Sequence, residues 1–415
     1  MSLINFKSLK SLSYILFVLI LGVFTSCSES GSRHISSKDL TAFSFPQGKG
    51  VITNTSATAG TIAVTVPFNT TVTGLVATFT TTGSYVAVGA TAQVNGTTAN
   101  DFAGAVTYTV TAADKTTKAY VVTVTIAPKA PGYKVTFTGD GVSFKMAYVP
   151  GGLIFPTGID DAGTATVPHA YWIGETDVTY ELWNAVCTWA IASGGYHFAN
   201  VGHMGGGFGT TTNQHPVTTI SWRDAMVFSN AITEWYNFKN ETSYGCVYKA
   251  SNVPIRDSRN TNATQCDAVI PDTGANGFRL LTSNEWELAA RWRGSDATNT
   301  VSAYTNPYFT KGSSTSGATA DCGNATASAT VAWFNPSGTT NGTEAVKLLT
   351  PNALGLYDMS GNVWVWNFDL AAPFRVARGG SWADALGAMQ LGEVNSNYPY
   401  YADYNYGFRI SRTDL

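Results

Sequence analysis

Strict alternation between apolar and small polar residues is the feature that most limits how the front of this chain can fold. Thr61-Ile62-Ala63-Val64-Thr65-Val66, Val106-Thr107-Tyr108-Thr109-Val110-Thr111 and Tyr120-Val121-Val122-Thr123-Val124-Thr125-Ile126 each repeat with period two. That period sends alternate side chains to opposite faces of a strand and builds no helical stripe. Gly, Asn and Asp turns separate the stretches, as in a small β-sandwich. The pattern predicts an all-β unit over 39–127. Pro128-Lys129-Ala130-Pro131-Gly132 interrupts it as a linker, 128–132, because Pro and Gly punctuate regular structure. A chain of 415 residues has room for a second unit, 133–415.

Charged residues are only 12% of the chain, about half the usual share, and the net charge is −3. No basic surface suited to nucleic acid is expected. Polarity comes instead from Gly, Thr, Ser and Asn, a composition that fits a β-rich exported protein. The apolar share, 44%, is ample for cores. The N-terminus points the same way. Lys7 and Lys10 precede a nearly unbroken apolar run, Leu12 to Phe24, too short to span a bilayer. Phe24-Thr25-Ser26-Cys27 then places small residues before a cysteine. Residues 1–27 thus resemble a bacterial lipoprotein signal, which implies lipidation of Cys27 and anchoring to a membrane. Phe24 stands where Leu is more usual, and a plain secretory signal with an incidental cysteine is the alternative. Residues 28–38 read as a flexible tether. The expected location is the bacterial cell envelope, at the outer membrane or the cell surface.

Three helices are predicted in the second unit from their start signals. Thr179 can cap a helix through Ala192 with Leu182, Val186 and Trp189 on one face. Ser221 with Asp224, and Thr282 with Glu285, have capping-box spacing. Ala225, Phe228, Ile232 and Trp235 follow Ser221 as one apolar stripe. Strands are expected at Lys134 to Phe137 and Lys145 to Val149. Long Gly-, Ser-, Thr- and Asn-rich loops fill 246–277 and 294–350. Cys187, Cys246, Cys266 and Cys322 lack zinc-finger spacing. Cys246 and Cys266 can bridge a loop in an oxidising compartment, or remain buried free thiols. His197 and His203 lie in a glycine-rich stretch, read as a solvated loop rather than a metal site.

Several segments of the second unit, in order, resemble one family. They are Met146-Ala147-Tyr148-Val149-Pro150-Gly151-Gly152, Glu175-Thr176-Asp177-Val178-Thr179, His215-Pro216-Val217 with Ser221-Trp222, and Gly277-Phe278-Arg279-Leu280-Leu281-Thr282. Asn352-Ala353-Leu354-Gly355-Leu356-Tyr357-Asp358-Met359-Ser360-Gly361-Asn362-Val363-Trp364 follows, then Arg378-Gly379-Gly380-Ser381-Trp382 and Gly407-Phe408-Arg409. This series resembles the formylglycine-generating-enzyme, or sulfatase-modifying-factor, family. The resemblance implies an α+β fold related to C-type lectins, here preceded by the all-β unit, which resembles bacterial immunoglobulin-like repeats. The family's enzymes use two cysteines shortly after the Gly-Gly-Ser motif as copper thiolates. Asp384 and Met389 occupy those positions, and no cysteine follows Cys322. The family's calcium loop, by resemblance, would take oxygens from Asp358, Gly361 and Val363. Val365 stands where a glutamate ligand is usual, so either a weak Ca2+ site or a metal-free packed loop is expected, and no other cofactor.

Residues 383–406 are rich in Ala, Asp, Gly, Asn, Ser and Tyr at a subset of positions. Those positions are Ala383, Asp384, Ala385, Gly387, Ala388, Asn395, Ser396, Asn397, Tyr398, Tyr400, Tyr401, Asp403, Tyr404 and Asn405. Gln390, Leu391, Gly392 and Pro399 interrupt them. The arrangement resembles the variable region of proteins diversified by retroelements, in which randomised adenines yield this set of residues and exclude Lys, Glu, Gln, Met and Trp. Tyr, Ser, Asn and Gly are also the residues that recognition loops favour. The expectation is a surface-displayed lipoprotein that binds a protein or glycan ligand through 383–406 on an inactive scaffold. The alternatives are a formylglycine-generating-type oxidase or a relative with other chemistry, a decayed enzyme whose tyrosines are packing residues, and an envelope protein without a specific ligand.

Overall fold

The computed structural model describes residues 35–294, 304–306, 308–335 and 341–415. Cys27, with the rest of the signal segment and most of the tether, lies outside the described residues. The chain divides into two units, Met1–Pro128 and Lys129–Leu415. No helix among the described residues is long and apolar enough to cross a membrane.

The first unit is all-β. Strands β1 (Ala59–Val66), β2 (Val106–Thr111) and β3 (Thr117–Ile126) contain the three alternating stretches. Their inward residues, among them Ile62, Val64, Tyr108, Val110, Tyr120 and Val122, pack with Phe43, Phe45, Phe79 and Phe102 in one core. Tyr108 meets Phe43 edge-on at 5.2 Å. Within an eight-stranded sheet, β3 lies between β1 and β2, antiparallel to β2 but parallel to β1. Alternation sets which face a side chain takes and leaves strand direction open.

The second unit is α+β. In chain order it runs β4 (Lys134–Gly139), β5 (Val142–Val149), β6 (Tyr171–Gly174), α1 (Tyr180–Ser193) and α2 (Trp222–Asn240). Then come β7 (Arg279–Leu280), α3 (Ser283–Arg291), β8 (Trp364–Ala371), β9 (Phe374–Arg378), β10 (Asn395–Asn397), β11 (Tyr406–Phe408) and β12 (Ile410–Thr413). One sheet has the order β4-β5-β6-β12-β7, the other β10-β9-β8-β11.

The helix starts follow from capping. The Thr179 hydroxyl accepts from Leu182 N, and both Ser221–Asp224 and Thr282–Glu285 form reciprocal capping boxes. Each such cap is worth about 1 kcal/mol. The packing of α1 and α2 differs from the expected stripes. In α1 it is Trp183 that enters the core, stacked on Phe228 at 4.9 Å, while Trp189 is only half-buried. In α2 every residue from Trp222 to Thr233 is buried, not one apolar stripe. The long loop after α2 covers the polar side. Asn230 there donates to the carbonyls of Tyr248 (2.6 Å) and Ile255 (3.0 Å), so the buried amide is satisfied.

Cys246 and Cys266 are buried free thiols in this structure, not a bridge. Cys246 Sγ faces Asn230 O at 3.8 Å and Cys266 Sγ faces Asp257 O at 3.2 Å. Burial pushes both thiols up to about 12. The α2 backbone supplies the acceptor for Cys246 and the loop backbone the one for Cys266.

Candidate functional site

The hairpin β8–β9 delivers the chain into Gly379 and Gly380, both with positive φ (97° and 73°). A Cβ on Gly380 would lie 2.6 Å from Ala388 O, and its φ of 73° disfavours any side chain, so glycine is required. The next residues form a tight clamp. Ser381 N donates to Asp384 Oδ2 (3.1 Å), its hydroxyl donates to the same oxygen, and Asp384 N returns a bond to Ser381 O (3.1 Å). Met389 is fully buried in a small apolar cluster with Cys322, Val331, Ala332 and Phe334. At the two positions the family resemblance assigns to copper, one side chain closes a turn and the other fills a core. A carboxylate and a buried thioether do not fit a copper ion that requires thiolates.

The loop before β8 offers little to calcium. Asp358 is buried and accepts from Lys347 N at 3.1 Å, and burial raises its pKa. The Asn362 amide is engaged in both directions with the Glu344 backbone, at 3.1 Å each. Val365 packs in the core beside Leu281, Trp286 and Met359. One carboxylate with the carbonyls of Gly361 and Val363 falls short of the six or more oxygens calcium takes. Among the described residues no group of three or more His, Cys, Asp or Glu is placed to hold a metal.

Beyond the clamp, the segment is held from beneath. Arg378, buried at the end of β9, donates to the carbonyls of Leu391 (3.3 Å) and Glu393 (2.6 Å). Its other side pairs with Glu287 of α3, which also pairs with Arg291 at 2.7 Å. Burial pulls the Arg378 pKa down and the Glu287 carboxylate opposes it. The interrupting residues Leu391, Gly392 and Pro399 are buried, and Gln390 is half-buried. A Cβ on Gly392 would lie 2.1 Å from the Gly158 backbone.

The positions singled out in 383–406 divide by exposure. Asn395, Ser396 and Asn397 form β10 on the sheet edge against β9, with Asn395 Nδ2 donating to Tyr406 OH at 3.0 Å. Tyr398 (42% exposed) and Tyr400 (54%) stack at 5.2 Å, and Arg223 lies 5.8 Å from the Tyr400 ring. Tyr404 is 51% exposed and leans on Trp382 at 5.7 Å. Tyr401 is half-buried instead. It packs edge-on against Tyr406 at 5.4 Å and donates to Asp403 Oδ2 at 2.5 Å, a bond that pushes its pKa up to about 12. Ala385 and Gly387 are exposed, while Ala383, Asp384, Ala388, Asp403 and Asn405 are half-buried. Gly379 to Trp382 and Gly407 to Arg409 are buried at the two ends.

A cavity of about 270 Å³ opens beside Tyr404, lined also by His203, Gly206, Phe208, Thr219 and Trp382. The stretch around Gly205-Gly206-Gly207, read from sequence as a solvated loop, is one wall of this cavity. It is glycine-rich because backbone meets backbone there. A Cβ on Gly206 would sit 1.8 Å from Tyr404 O, and one on Gly207 would sit 2.1 Å from Asn341 O. His203 Nδ1 lies 2.9 Å from Gly205 O, within the loop. The glycine triplet was the available signal, but what it packs against is set far along the chain.

Comparison with known proteins agrees with this construction. Residues 40–124 match the family described as SGBP, N-terminal. "Chaperone protein LppX" of Paenibacillus barcinonensis is 28% identical over 259 residues, covering 59% of this chain and 80% of that protein. The crystal structure of CarF is 28% identical with a TM-score of 0.51, covering 66% of this chain and 99% of CarF. Treponema denticola variable protein 1 is 26% identical with a TM-score of 0.49, covering 67% of this chain and 98% of that one. Residues 142–414 match the sulfatase-modifying factor enzyme 1-like domain, about two thirds of the sequence, and the chain belongs to that family.

Proposed function

We propose that this chain is a surface-displayed lipoprotein that binds a ligand through a diversified segment, 383–406, on a catalytically inactive scaffold of this family. One observation carries the reading: the segment exposes Tyr398, Tyr400 and Tyr404 while both its ends are locked in buried framework. Large exposed aromatics on a rigid base are what a recognition surface needs, because tyrosine contributes wide contact at low entropy cost. The same segment carries Asp384 and Met389 in place of thiolates, which removes the oxidase chemistry. LppX, to which the chain is similar, is named a chaperone protein. Lipidation at Cys27 would tether the protein to a membrane, and the ligand is a protein or a glycan.

The test is to sequence the DNA beside the coding region. Diversification requires a near-copy of the segment for 383–406, with adenines at the variable positions, next to a reverse-transcriptase gene. A closed genome without that copy, joined to identical 383–406 segments across many isolates, overturns the diversification. Ligand binding unchanged by Tyr398→Ala, Tyr400→Ala and Tyr404→Ala together overturns the recognition surface.

A further inference from the structure

Asp403 divides its two carboxylate oxygens between two tyrosines. Oδ2 accepts from Tyr401 OH at 2.5 Å, and Oδ1 accepts from Tyr404 N at 2.8 Å. The first bond accompanies a ring turned inward, since Tyr401 is half-buried and packs edge-on against Tyr406 at 5.4 Å. The second ties the backbone of a residue whose ring is exposed. Tyr398 is seated in the same manner, its N donating to Asn397 Oδ1 at 2.9 Å. An ionised carboxylate accepts at both oxygens, so one side chain at 403 serves two donors without conflict.

The backbone of Asp403 is fixed by other bonds. Its carbonyl accepts from Thr219 N at 2.9 Å and from Tyr406 N at 3.2 Å. Thr219 holds a φ of 55°, a left-handed conformation that a β-branched residue keeps only where its surroundings impose it. Neither bond uses the Asp403 side chain, so a substitution there leaves the chain path and changes only what the side chain holds. Position 403 is also one of those read as diversified, among Ala, Asp, Gly, Asn, Ser and Tyr. Within that set aspartate alone carries two side-chain oxygens. Asparagine and serine offer one acceptor atom, alanine and glycine none, and the tyrosine hydroxyl lies a ring's length further out.

We propose that Asp403 is a positioning residue of the recognition surface: it holds Tyr401 out of the contact face, and a change at 403 alters specificity by releasing that ring. The proposal rests on the recognition-surface reading and gives one variable position a role at second hand. Asp403 acts through Tyr401 rather than on the ligand. It decides whether the face presents Tyr398, Tyr400 and Tyr404 alone or those rings with Tyr401 beside them. Because tyrosine brings wide contact at low entropy cost, one ring more or fewer changes which partner the face fits.

Hydroxyl-radical footprinting of the full chain, read residue by residue by tandem mass spectrometry, tests this in wild type, Asp403→Ala and Asp403→Asn. In the wild type Tyr398, Tyr400 and Tyr404 should oxidise readily and Tyr401 slowly. In Asp403→Ala the Tyr401 rate should rise severalfold, toward that of Tyr400. Asp403→Asn, with one acceptor left, should fall between, and it carries the comparison if melting curves show that the alanine variant does not fold. Ultraviolet titration adds a signature specific to the bond. The Asp403 hydrogen bond, with burial, pushes the Tyr401 phenol up to about 12. Asp403→Ala should therefore gain a tyrosine that titrates near the ordinary value of about 10, and the added step should be missing from Asp403→Ala/Tyr401→Phe. Rapid oxidation of Tyr401 in the wild type, or a rate unchanged in variants that melt like the wild type, overturns the positioning role and leaves the recognition surface standing. Slow oxidation of Tyr398, Tyr400 and Tyr404 in the wild type overturns the surface itself.

Discussion

Replacing Gly206 by alanine tests whether the glycine-rich loop is a structural wall of the recognition site. The added Cβ would lie 1.8 Å from Tyr404 O, where real Cβ atoms stay beyond 3.0 Å, so the two backbones must part by about 1.2 Å. Neither neighbour is a flexible side-chain tip that could turn away. Parting stretches Gly206 N to Thr343 Oγ1 (3.0 Å) and Thr343 N to Gly206 O (2.9 Å). Overpacking of this kind costs about 1–3 kcal/mol, and weakened hydrogen bonds cost about 1 kcal/mol each. The expected loss is roughly 3–5 kcal/mol, or on the order of 6–10 °C for a unit of this size. Gly209→Ala is the control, since nothing lies within 4 Å of its added Cβ. It should stay within about 0.5 kcal/mol of wild type. Scanning calorimetry of the full chain compares the two, and hydrogen exchange over 203–209 and 399–406 locates the change. Equal melting of Gly206→Ala and Gly209→Ala would refute the backbone contact and the role assigned to the loop.

Tyr400→Ala should cost within about 0.5 kcal/mol of stability as an exposed site, whereas Trp382→Ala should cost roughly 3–5 kcal/mol; denaturant melts showing equal damage would end the division between surface and framework. His215 is buried and its Nδ1 lies 3.0 Å from Thr343 Oγ1, the same hydroxyl that holds Gly206. Burial lowers its pKa from 6.5, with Glu344 opposing. The unfolded chain therefore takes up a proton first, so this group's contribution is present above pH 6.5 and is lost as pH falls through the lowered folded value. Stability measured on acidification should fall less steeply in His215→Asn, and identical pH profiles would contradict this. Metabolic labelling with a fatty acid should mark the wild type and not Cys27→Ala; a label that persists in the variant removes the anchor.

How much was legible in advance differs by element. Capping boxes are short-range, since donor and acceptor lie three residues apart, and Ser221–Asp224 and Thr282–Glu285 form as spaced. The alternation matches the burial of Ile62, Val64, Tyr108, Val110, Tyr120 and Val122 in the first core, while Ile126 at the end of the last stretch is exposed. The missing thiolates at Asp384 and Met389 needed no structure, because residue type alone removes the copper donors. Tertiary structure alone decided what depends on distant partners. The parallel pairing of β1 with β3 is one case, because side-chain period carries no direction. The burial of the polar side of α2 is another, because it needs the carbonyls of Tyr248 and Ile255. Exposure within 383–406 is a third: Tyr400 and Tyr401 are neighbours of one residue type, yet one faces solvent and the other turns to Asp403 and Tyr406. The aromatic cavity is the last, for its walls come from 203–208, Thr219, Trp382 and Tyr404, joined by a close backbone approach at Gly206 and by the bond from Thr219 N to Asp403 O.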